Sequence, residues 1–202
     1  MPKNSSSPRF SVRDMAIAGL IAALYAVLGY FANIFALAFG PIQVRFSEAL
    51  CVLPFFFPAA VPGLAVGCLV LNLLSPYGAL DIIFGTLATL LAALWTRRTR
   101  RKWLAPLPPV ICNTLIIPAV IALQTAVPFS RAFWGIFGWN AFTIGLGEFA
   151  ACYALGGLLL ARLPRIPALQ RYMRGYPTRS VPVLRKTGTF FTDSFKKYAK
   201  SP

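Results

Sequence analysis

The stretch MAIAGLIAALYAVLGYFANIFALAF, residues 15–39, contains 25 consecutive residues without a charged side chain. An α-helix needs roughly 20 apolar residues to cross the hydrocarbon core of a bilayer. The stretch is therefore long enough to span a membrane, and it is longer than the apolar core of a signal peptide, which has about 7–15 residues. Several further blocks of similar character follow it. The sequence predicts an all-α membrane protein built as a bundle of transmembrane helices.

The composition of the chain supports the same class. Of its 202 residues, 57% are hydrophobic, and only 5 acidic residues stand against 20 Lys and Arg. A soluble domain of this length would need more polar residues to cover its core. The apolar residues also form blocks, whereas the strands of a membrane β-barrel alternate apolar and polar residues. The composition therefore disfavours both of these alternatives.

The basic residues predict which helix ends lie in the cytoplasm. They fall into three clusters: before the first apolar block, at residues 97–102, and from residue 162 to residue 200. Basic loops remain on the cytoplasmic side of a membrane, so all three clusters are expected there. Both termini are then cytoplasmic, and the number of spans is even. Because this distribution follows membrane topology, it explains the basic surplus, and no nucleic-acid partner is expected.

Turn signals divide the chain into six predicted helices. Pro58 and Pro62 separate the second helix from the third, and SPYG at residues 75–78 separates the third from the fourth. Residues 1–163 are expected to form one membrane domain, and residues 164–202 a basic cytoplasmic tail that is disordered or associated with lipid. The predicted helices cover about residues 14–38, 46–61, 62–76, 79–96, 106–127 and 133–161.

Charged residues inside the apolar blocks are the candidates for function. Outside the ends of the chain, the carboxylates are Glu48, Asp81 and Glu148. An ionisable group inside a membrane is costly to bury, so it indicates a functional site by default. The six-helix arrangement places all three in the outer half of the bundle, where they can converge. The alternative is a set of structural pairs, for example Glu48 with Arg45.

Neutral polar and aromatic residues extend this predicted site. Carboxylates beside flat apolar surfaces suit a planar heterocycle rich in hydrogen-bond donors. For the amides, hydrogen bonding between helices is an equally good explanation. Gln124 is a further amide that could contribute, whereas Asn113 is expected nearer the cytoplasmic side and is left out. The predicted substrate-binding residues are Arg45, Glu48, Asn72, Tyr77, Asp81, Asn140 and Glu148.

Motifs for catalysis and cofactor binding are missing from the sequence. There is no GxxxxGK[ST] loop for ATP, no HExxH or GxSxG motif, and no histidine. The four cysteines lie in apolar segments without a CxxC pair, and they are expected to be buried as small hydrophobic residues. No catalytic residue, metal site or cofactor is therefore predicted, and the chain is not expected to be an enzyme.

Three stretches together resemble a known family. They are GPIQVRFSEALCVLP at 40–54, NLLSPYGALDIIFGTLATLLAA at 72–93 and GLGEFAACYALG at 145–156. They are similar to the QueT-type S components of energy-coupling factor (ECF) transporters. These are membrane subunits associated with precursors of the modified nucleoside queuosine. The resemblance covers roughly residues 12–163.

This resemblance implies a function and a set of partners. S components are six-helix bundles that capture substrate outside the cell and dock on a transmembrane T component driven by two cytoplasmic ATPase subunits. The implied ligands are 7-deazaguanines such as preQ1, preQ0 or queuine. A carboxylate can accept two hydrogen bonds from a guanine-like edge, and a second can pair with the aminomethyl cation of preQ1. The lipid bilayer, the heterocycle, the T component and the ATPases are the expected partners.

The first helix carries a stripe of small residues, Ala18, Ala22 and Ala26, at intervals of four. Residues at i and i+4 lie on one helix face, and small side chains allow another helix to approach closely in lipid. The resemblance implies that this stripe docks on the T component, because S components have an alanine stripe on this helix. Packing against the protein's own helices is the alternative.

Two other functions compete with this interpretation. In a proton-coupled secondary transporter the same carboxylates would relay protons, and uptake would follow the pH gradient without ATP. An intramembrane enzyme ranks third, because the sequence contains no recognisable catalytic set.

Overall fold

The computed structural model of the protein describes residues 11–35, 45–73 and 78–167 together with residues 169 and 173. Every regular element in these ranges is helical. The α-helices are α1 (Val12–Ile34), α2 (Ala60–Asn72), α3 (Ala79–Arg98), α4 (Leu107–Thr125), α5 (Arg131–Phe149) and α6 (Gly157–Arg162). The 3₁₀-helical segments are Phe46–Phe55, Lys102–Leu104 and Leu163–Arg165, and a π-helical segment, Ala150–Gly156, joins α5 to α6.

Four of these helical stretches are long and apolar enough to cross a membrane: α1, α3, Lys102–Thr125 and Arg131–Arg165. The 3₁₀ segment Phe46–Phe55 and α2 are apolar but shorter, with 10 and 13 residues. Since a 3₁₀-helix rises about 2.0 Å per residue and an α-helix about 1.5 Å, each is roughly 20 Å long, against a hydrocarbon core of about 30 Å. The predicted all-α membrane class is confirmed for the described residues.

The second predicted helix differs from the expectation. The sequence predicted a helix over about residues 46–61, whereas the chain forms a 3₁₀-helix that ends at Phe55, and α2 begins at Ala60. Pro54 lies inside the 3₁₀ segment and cannot donate a helical hydrogen bond, and Pro58 follows it. Runs of 3₁₀-helix longer than about 3–4 residues are uncommon. This unusual segment carries Glu48, so its geometry decides where that carboxylate lies.

The 3₁₀ segment forms the centre of the bundle. Its residues from Ser47 to Pro54 are all buried, and it contacts α1, α2, α3, the π-helical segment and α6. The approach to the π-helical segment is close at Gly156, where a Cβ would lie 2.9 Å from Val52 Cγ1 and 3.3 Å from Ala49 O. Glycine is therefore needed at position 156, where the π-helical segment packs directly against the 3₁₀ segment Phe46–Phe55.

A seam of small residues joins α1 to α2, and we call Ala18, Ala22, Gly63 and Gly67 the α1–α2 seam. A Cβ on Gly63 would lie 2.6 Å from Ala18 O, and a Cβ on Gly67 would lie 2.8 Å from both Ala22 O and Tyr25 Cβ. Because the two glycines have no side chains, the two backbones touch. Small residues spaced by four commonly allow such close contact between membrane helices. The seam holds α1 so that the ring of Tyr25 is fully buried.

The outer faces of the long helices are apolar. Large hydrophobic side chains such as Leu20, Val27, Ile83, Leu115 and Phe142 are more than half exposed. In water such a surface would cause aggregation, but in a bilayer it contacts lipid tails. The apolar exterior surrounds an interior that holds several buried polar side chains.

Candidate functional site

Glu48 is the most enclosed carboxylate of the described residues, with no exposed surface. Its Oε1 accepts a hydrogen bond from the Tyr25 hydroxyl group of α1. Its Oε2 accepts one from the Cys51 thiol at 3.0 Å, and Cys51 follows three residues later on the same 3₁₀ segment. Both carboxylate oxygens therefore have a donor from the protein itself, which offsets part of the cost of burial.

Glu148, near the end of α5, is the second carboxylate of the interior and is 4% exposed. The Asn113 amide of α4 donates a hydrogen bond to its Oε1 at 3.0 Å. The Cys152 thiol lies 3.7 Å from its Oε2 and 3.5 Å from the backbone oxygen of Glu48. A thiol has one hydrogen and can donate to only one of these acceptors at a time. Cys152 therefore lies between the side chain of Glu148 and the backbone of Glu48.

The chain around Glu148 has an unusual backbone. The π-helical segment begins two residues after it and includes Cys152. A π-helical turn contains one more residue than an α-helical turn, and such turns occur frequently at functional sites. The wider turn sets the position of the Cys152 thiol between Glu148 and the 3₁₀ segment.

Arg45 and Asp81 complete the charged part of this interior. Arg45 directly precedes the 3₁₀ segment and is 7% exposed, and Asp81 in the first turn of α3 is 5% exposed. The Arg45 guanidinium lies within electrostatic range of Tyr25, Asp81 and Glu48, and Glu148 is within range of both Arg45 and Glu48. We call the whole group the polar centre; it consists of Tyr25, Arg45, Glu48, Cys51, Asp81, Asn113, Glu148 and Cys152.

Asn72, at the end of α2, lies beside the polar centre and is 1% exposed. Its side-chain nitrogen lies 3.4 Å from the backbone oxygen of Asp81 and 3.3 Å from the Cys68 sulfur. The Thr89 hydroxyl donates to the same sulfur at 3.2 Å. Among the described residues, the Asn72 Oδ1 atom has no hydrogen-bond partner. The amide therefore holds α2 to α3 and keeps an acceptor available.

The structure brings most of the predicted site residues together. Arg45, Glu48, Asp81 and Glu148 lie in the polar centre, and Asn72 lies beside it. Asn140 is only partly buried, and its side-chain nitrogen donates to Ile136 O in its own helix at 2.8 Å. The predicted residue Tyr77 lies outside the described residues.

Glu48 lies deep among the described helices, where it bonds to Tyr25 near the middle of α1. The chain is already buried at Arg45, three residues before Glu48, so it enters the bundle before the 3₁₀ segment begins. The position of Glu48 in the outer half of the bundle stays a prediction.

Sequence reasoning missed several members of the polar centre. Tyr25 has a usable signal: it lies in the middle of an apolar helix, whereas tyrosines of membrane helices usually lie at the interface with water. Asn113 was left out because of its expected depth, yet it bonds directly to Glu148. Cys51, Cys68 and Cys152 are buried as expected, but each also takes part in a hydrogen bond.

The predicted docking residues lie on a half-buried face of α1. Ala18 and Ala22 contribute to the α1–α2 seam through their backbones, and Ala26 is also half-buried. Gly19 and Ala23 are exposed on the same helix, and a Cβ on Gly19 would meet nothing within 4 Å. Contact with a partner through the alanine stripe stays a prediction.

Long apolar helices around a buried polar centre define a multi-pass membrane protein. The sequence model of the QueT transporter family matches residues 15–165. The chain therefore belongs to the QueT transporter family. This membership confirms the resemblance found in the sequence, and a transporter family agrees with the expectation that the chain itself is not an enzyme.

One relative extends the similarity over most of the chain. The queuosine precursor transporter QueT of Lactococcus lactis subsp. cremoris (strain MG1363) is 29% identical over 171 residues, which are 78% of this chain and 96% of the relative. No solved structure is significantly similar to this chain.

Proposed function

We propose that the protein is the S component of an ECF transporter that binds a queuosine precursor, a 7-deazaguanine, outside the cell for ATP-driven import. One observation supports this most: the family's transporter fold encloses a convergent set of charged and amide groups, Arg45, Glu48, Asp81, Asn113 and Glu148. The relative named for queuosine precursor transport supports the choice of ligand class.

The chemistry of the polar centre suits a guanine-like ligand. A carboxylate such as Glu48 can accept two parallel hydrogen bonds from the ring N–H and the exocyclic amino group. A second carboxylate, Asp81 or Glu148, can pair with the aminomethyl cation of preQ1. The acceptor Oδ1 of Asn72 suits a further ring N–H. Tyr25 and Cys51 each donate to one oxygen of Glu48, and each oxygen has a second lone pair that can accept a hydrogen bond from a ligand.

Carboxylate substitutions test this site. Glu48→Gln, Asp81→Asn and Glu148→Gln each replace an acceptor oxygen with a donor group, which should weaken preQ1 binding by about 1–3 kcal/mol, roughly 5- to 150-fold in Kd. Isothermal titration calorimetry with purified protein measures this directly. Asp14→Asn is the matched control, because Asp14 caps the start of α1 through the backbone N–H of Ser11. If all three variants bind like wild type, the carboxylates are structural.

The proposed topology has six spans with both termini in the cytoplasm. The long stretches α1, α3, Lys102–Thr125 and Arg131–Arg165 each cross once, and the 3₁₀ segment Phe46–Phe55 and α2 form the two short crossings. Single cysteines in a cysteine-free background report the sides. A cysteine at Arg100 should react only from the cytoplasm and one at Arg131 only from outside. Labelling of position 100 from outside contradicts this topology.

The proposed partners are a T component and two ATPase subunits, with α1 as the docking helix through Ala18, Ala22 and Ala26. Because the seam occupies part of this stripe, the exposed neighbour Gly19 separates docking from internal packing. Gly19→Trp should leave preQ1 binding intact and block co-purification with the T component. Ala22→Trp should also block assembly. Normal assembly and uptake by both variants would exclude this face.

The alternative, a proton-coupled carrier, is favoured by one observation: two glutamates, Glu48 and Glu148, are buried in the interior and accept hydrogen bonds from groups with exchangeable protons. Uptake into proteoliposomes separates the two mechanisms. An S component imports preQ1 only together with its T component and ATPases in the presence of ATP. A carrier imports it alone when a pH gradient is imposed.

A further inference from the structure

The loop between α3 and α4 carries a concentration of positive charge next to a cavity. Arg97 and Arg98 end α3, and Arg100, Arg101 and Lys102 follow in the loop. The carboxylates that flank the loop in sequence, Asp81 and Glu148, are both buried among the helices. Among the described residues, neither is placed to neutralise the loop, and we expect an anion to do so.

Two of these arginines line a cavity of about 310 Å³, which we call the loop cavity. Thr99, Arg100 and Arg101 are among the residues that line it, and both arginines are exposed. The remaining wall is apolar and consists of Trp95, Leu104, Leu107 and Pro108. The wall is mostly apolar, so the cavity suits an apolar group, and the exposed arginines beside it suit a negative charge.

The loop that forms this cavity is held in place from inside. The Thr96 hydroxyl, fully buried, donates to the backbone oxygen of Ala105 at 3.2 Å and thereby ties the end of α3 to the start of α4. The backbone N–H groups of Leu104 and Ala105 donate to Arg101 O and Lys102 O. The two arginines are thus presented by a fixed loop, which lowers the entropic cost of binding.

The positive charges of Arg97 and Arg98 have a different structural role. They lie in the last turn of α3, where positive side chains are stabilised by the negative end of the helix dipole. They do not line the loop cavity. Arg100 and Arg101 lie beyond the helix end, so this explanation does not cover them.

We propose that the loop cavity binds an anionic phospholipid, with Arg100, Arg101 and Thr99 at the phosphate group and Trp95 and Leu104 against the upper acyl chain. The cavity lies at the end of α3, which is long and apolar enough to cross a membrane, and tryptophan side chains such as Trp95 favour the headgroup level of a bilayer. Arginine recognises phosphate with two parallel hydrogen bonds. The proposal does not depend on the queuosine-precursor ligand.

Fluorescence quenching by brominated lipids tests the proposal on the full chain. Trp103, Trp134 and Trp139 are replaced by Phe, so that Trp95 is the reporter. The protein is placed in phosphatidylcholine bilayers containing brominated phosphatidylglycerol or brominated phosphatidylcholine. Two arginines near the surface should give the anionic lipid a preference of roughly tenfold or more at Trp95. Equal quenching by the two lipids overturns the proposal.

Paired variants separate a built site from general surface charge. Arg100→Gln with Arg101→Gln should bring the preference close to one, whereas Arg97→Gln with Arg98→Gln, which loses the same charge, should retain most of it. An equal loss in both variants overturns the proposal. So does displacement of the brominated lipid by soluble glycerol 3-phosphate, which would assign the site to free phosphate. If the Phe background does not fold, native mass spectrometry of wild type and both double variants gives the same comparison through the retained phosphatidylglycerol.

Discussion

The α1–α2 seam and the polar centre are both places where helices come into close contact, but they do so by different chemistry. At the seam, Gly63 and Gly67 remove side chains so that two backbones touch. In the polar centre, Glu48 and Glu148 keep their side chains and are satisfied by donors from α1, α4 and their own segments. One contact depends on shape and the other on hydrogen bonds.

Tyr25 is the residue that joins these two regions. Its Cβ packs at Gly67, and its hydroxyl group donates to Glu48. The difference between the regions therefore predicts opposite sensitivities. The two seam glycines, Gly63 and Gly67, should not tolerate added volume, and the seam should be indifferent to ligand. The polar centre should tolerate small changes in volume but not the loss of a donor or acceptor.

The largest expected effect is at the seam. Gly67→Leu places atoms where a Cβ alone would lie 2.8 Å from Ala22 O and from Tyr25 Cβ. Since backbone atoms cannot move aside cheaply, the variant should lose about 3 kcal/mol of stability or more. Thermal unfolding in detergent, followed by circular dichroism, measures the loss.

The matched control for this change is Gly19→Leu on α1, where a Cβ would meet nothing within 4 Å. It should unfold within a few degrees of wild type. If the two variants are equally stable, the two helices do not pack in the described way at Gly67. If both are equally destabilised, leucine at any α1 or α2 glycine is harmful and the seam is not special.

A smaller effect is expected where the two regions meet. Tyr25→Phe keeps the ring but removes the hydroxyl donor, which leaves Oε1 of the fully buried Glu48 without this partner. The loss should cost about 1–2 kcal/mol in stability, and it should also change preQ1 affinity because the carboxylate is no longer held. Tyr30→Phe, half exposed on the same helix, is the control. Unchanged stability and affinity in Tyr25→Phe would show that this hydrogen bond does not matter.

The helices were predictable from the sequence because hydropathy and prolines mark them directly. The prediction of about 79–96 corresponds to Ala79–Arg98, and that of about 106–127 to Leu107–Thr125. The 3₁₀ geometry of Phe46–Phe55 was not predictable in this way, because a short apolar run with an internal proline fits several backbones. The π-helical turn at Ala150–Gly156 leaves no periodic signal at all.

The candidate site was predictable in its charged members and not in its neutral ones. A carboxylate inside an apolar block stands out, which is why Glu48, Asp81 and Glu148 were predicted as candidates. Tyr25 and Cys152 have common structural roles in apolar helices, and only their three-dimensional contacts distinguish them. The depth of Glu48 also depends on where the chain enters the bundle, which residue types alone do not fix.

The smallest expected effect concerns Cys152, which lies between the side chain of Glu148 and the backbone of Glu48. Cys152→Ser keeps a donor of similar size within reach of Glu148 Oε2 and Glu48 O, whereas Cys152→Ala removes the donor. Both variants lose the buried sulfur, so the difference between their stabilities reports the hydrogen bond alone. The alanine variant should be less stable than the serine variant by about 0.5–1.5 kcal/mol. Cys112, partly buried on α4, supplies the reference pair Cys112→Ser and Cys112→Ala. If serine has the same advantage over alanine at position 112 as at position 152, it reflects the substitution itself, and the hydrogen bond of Cys152 contributes nothing.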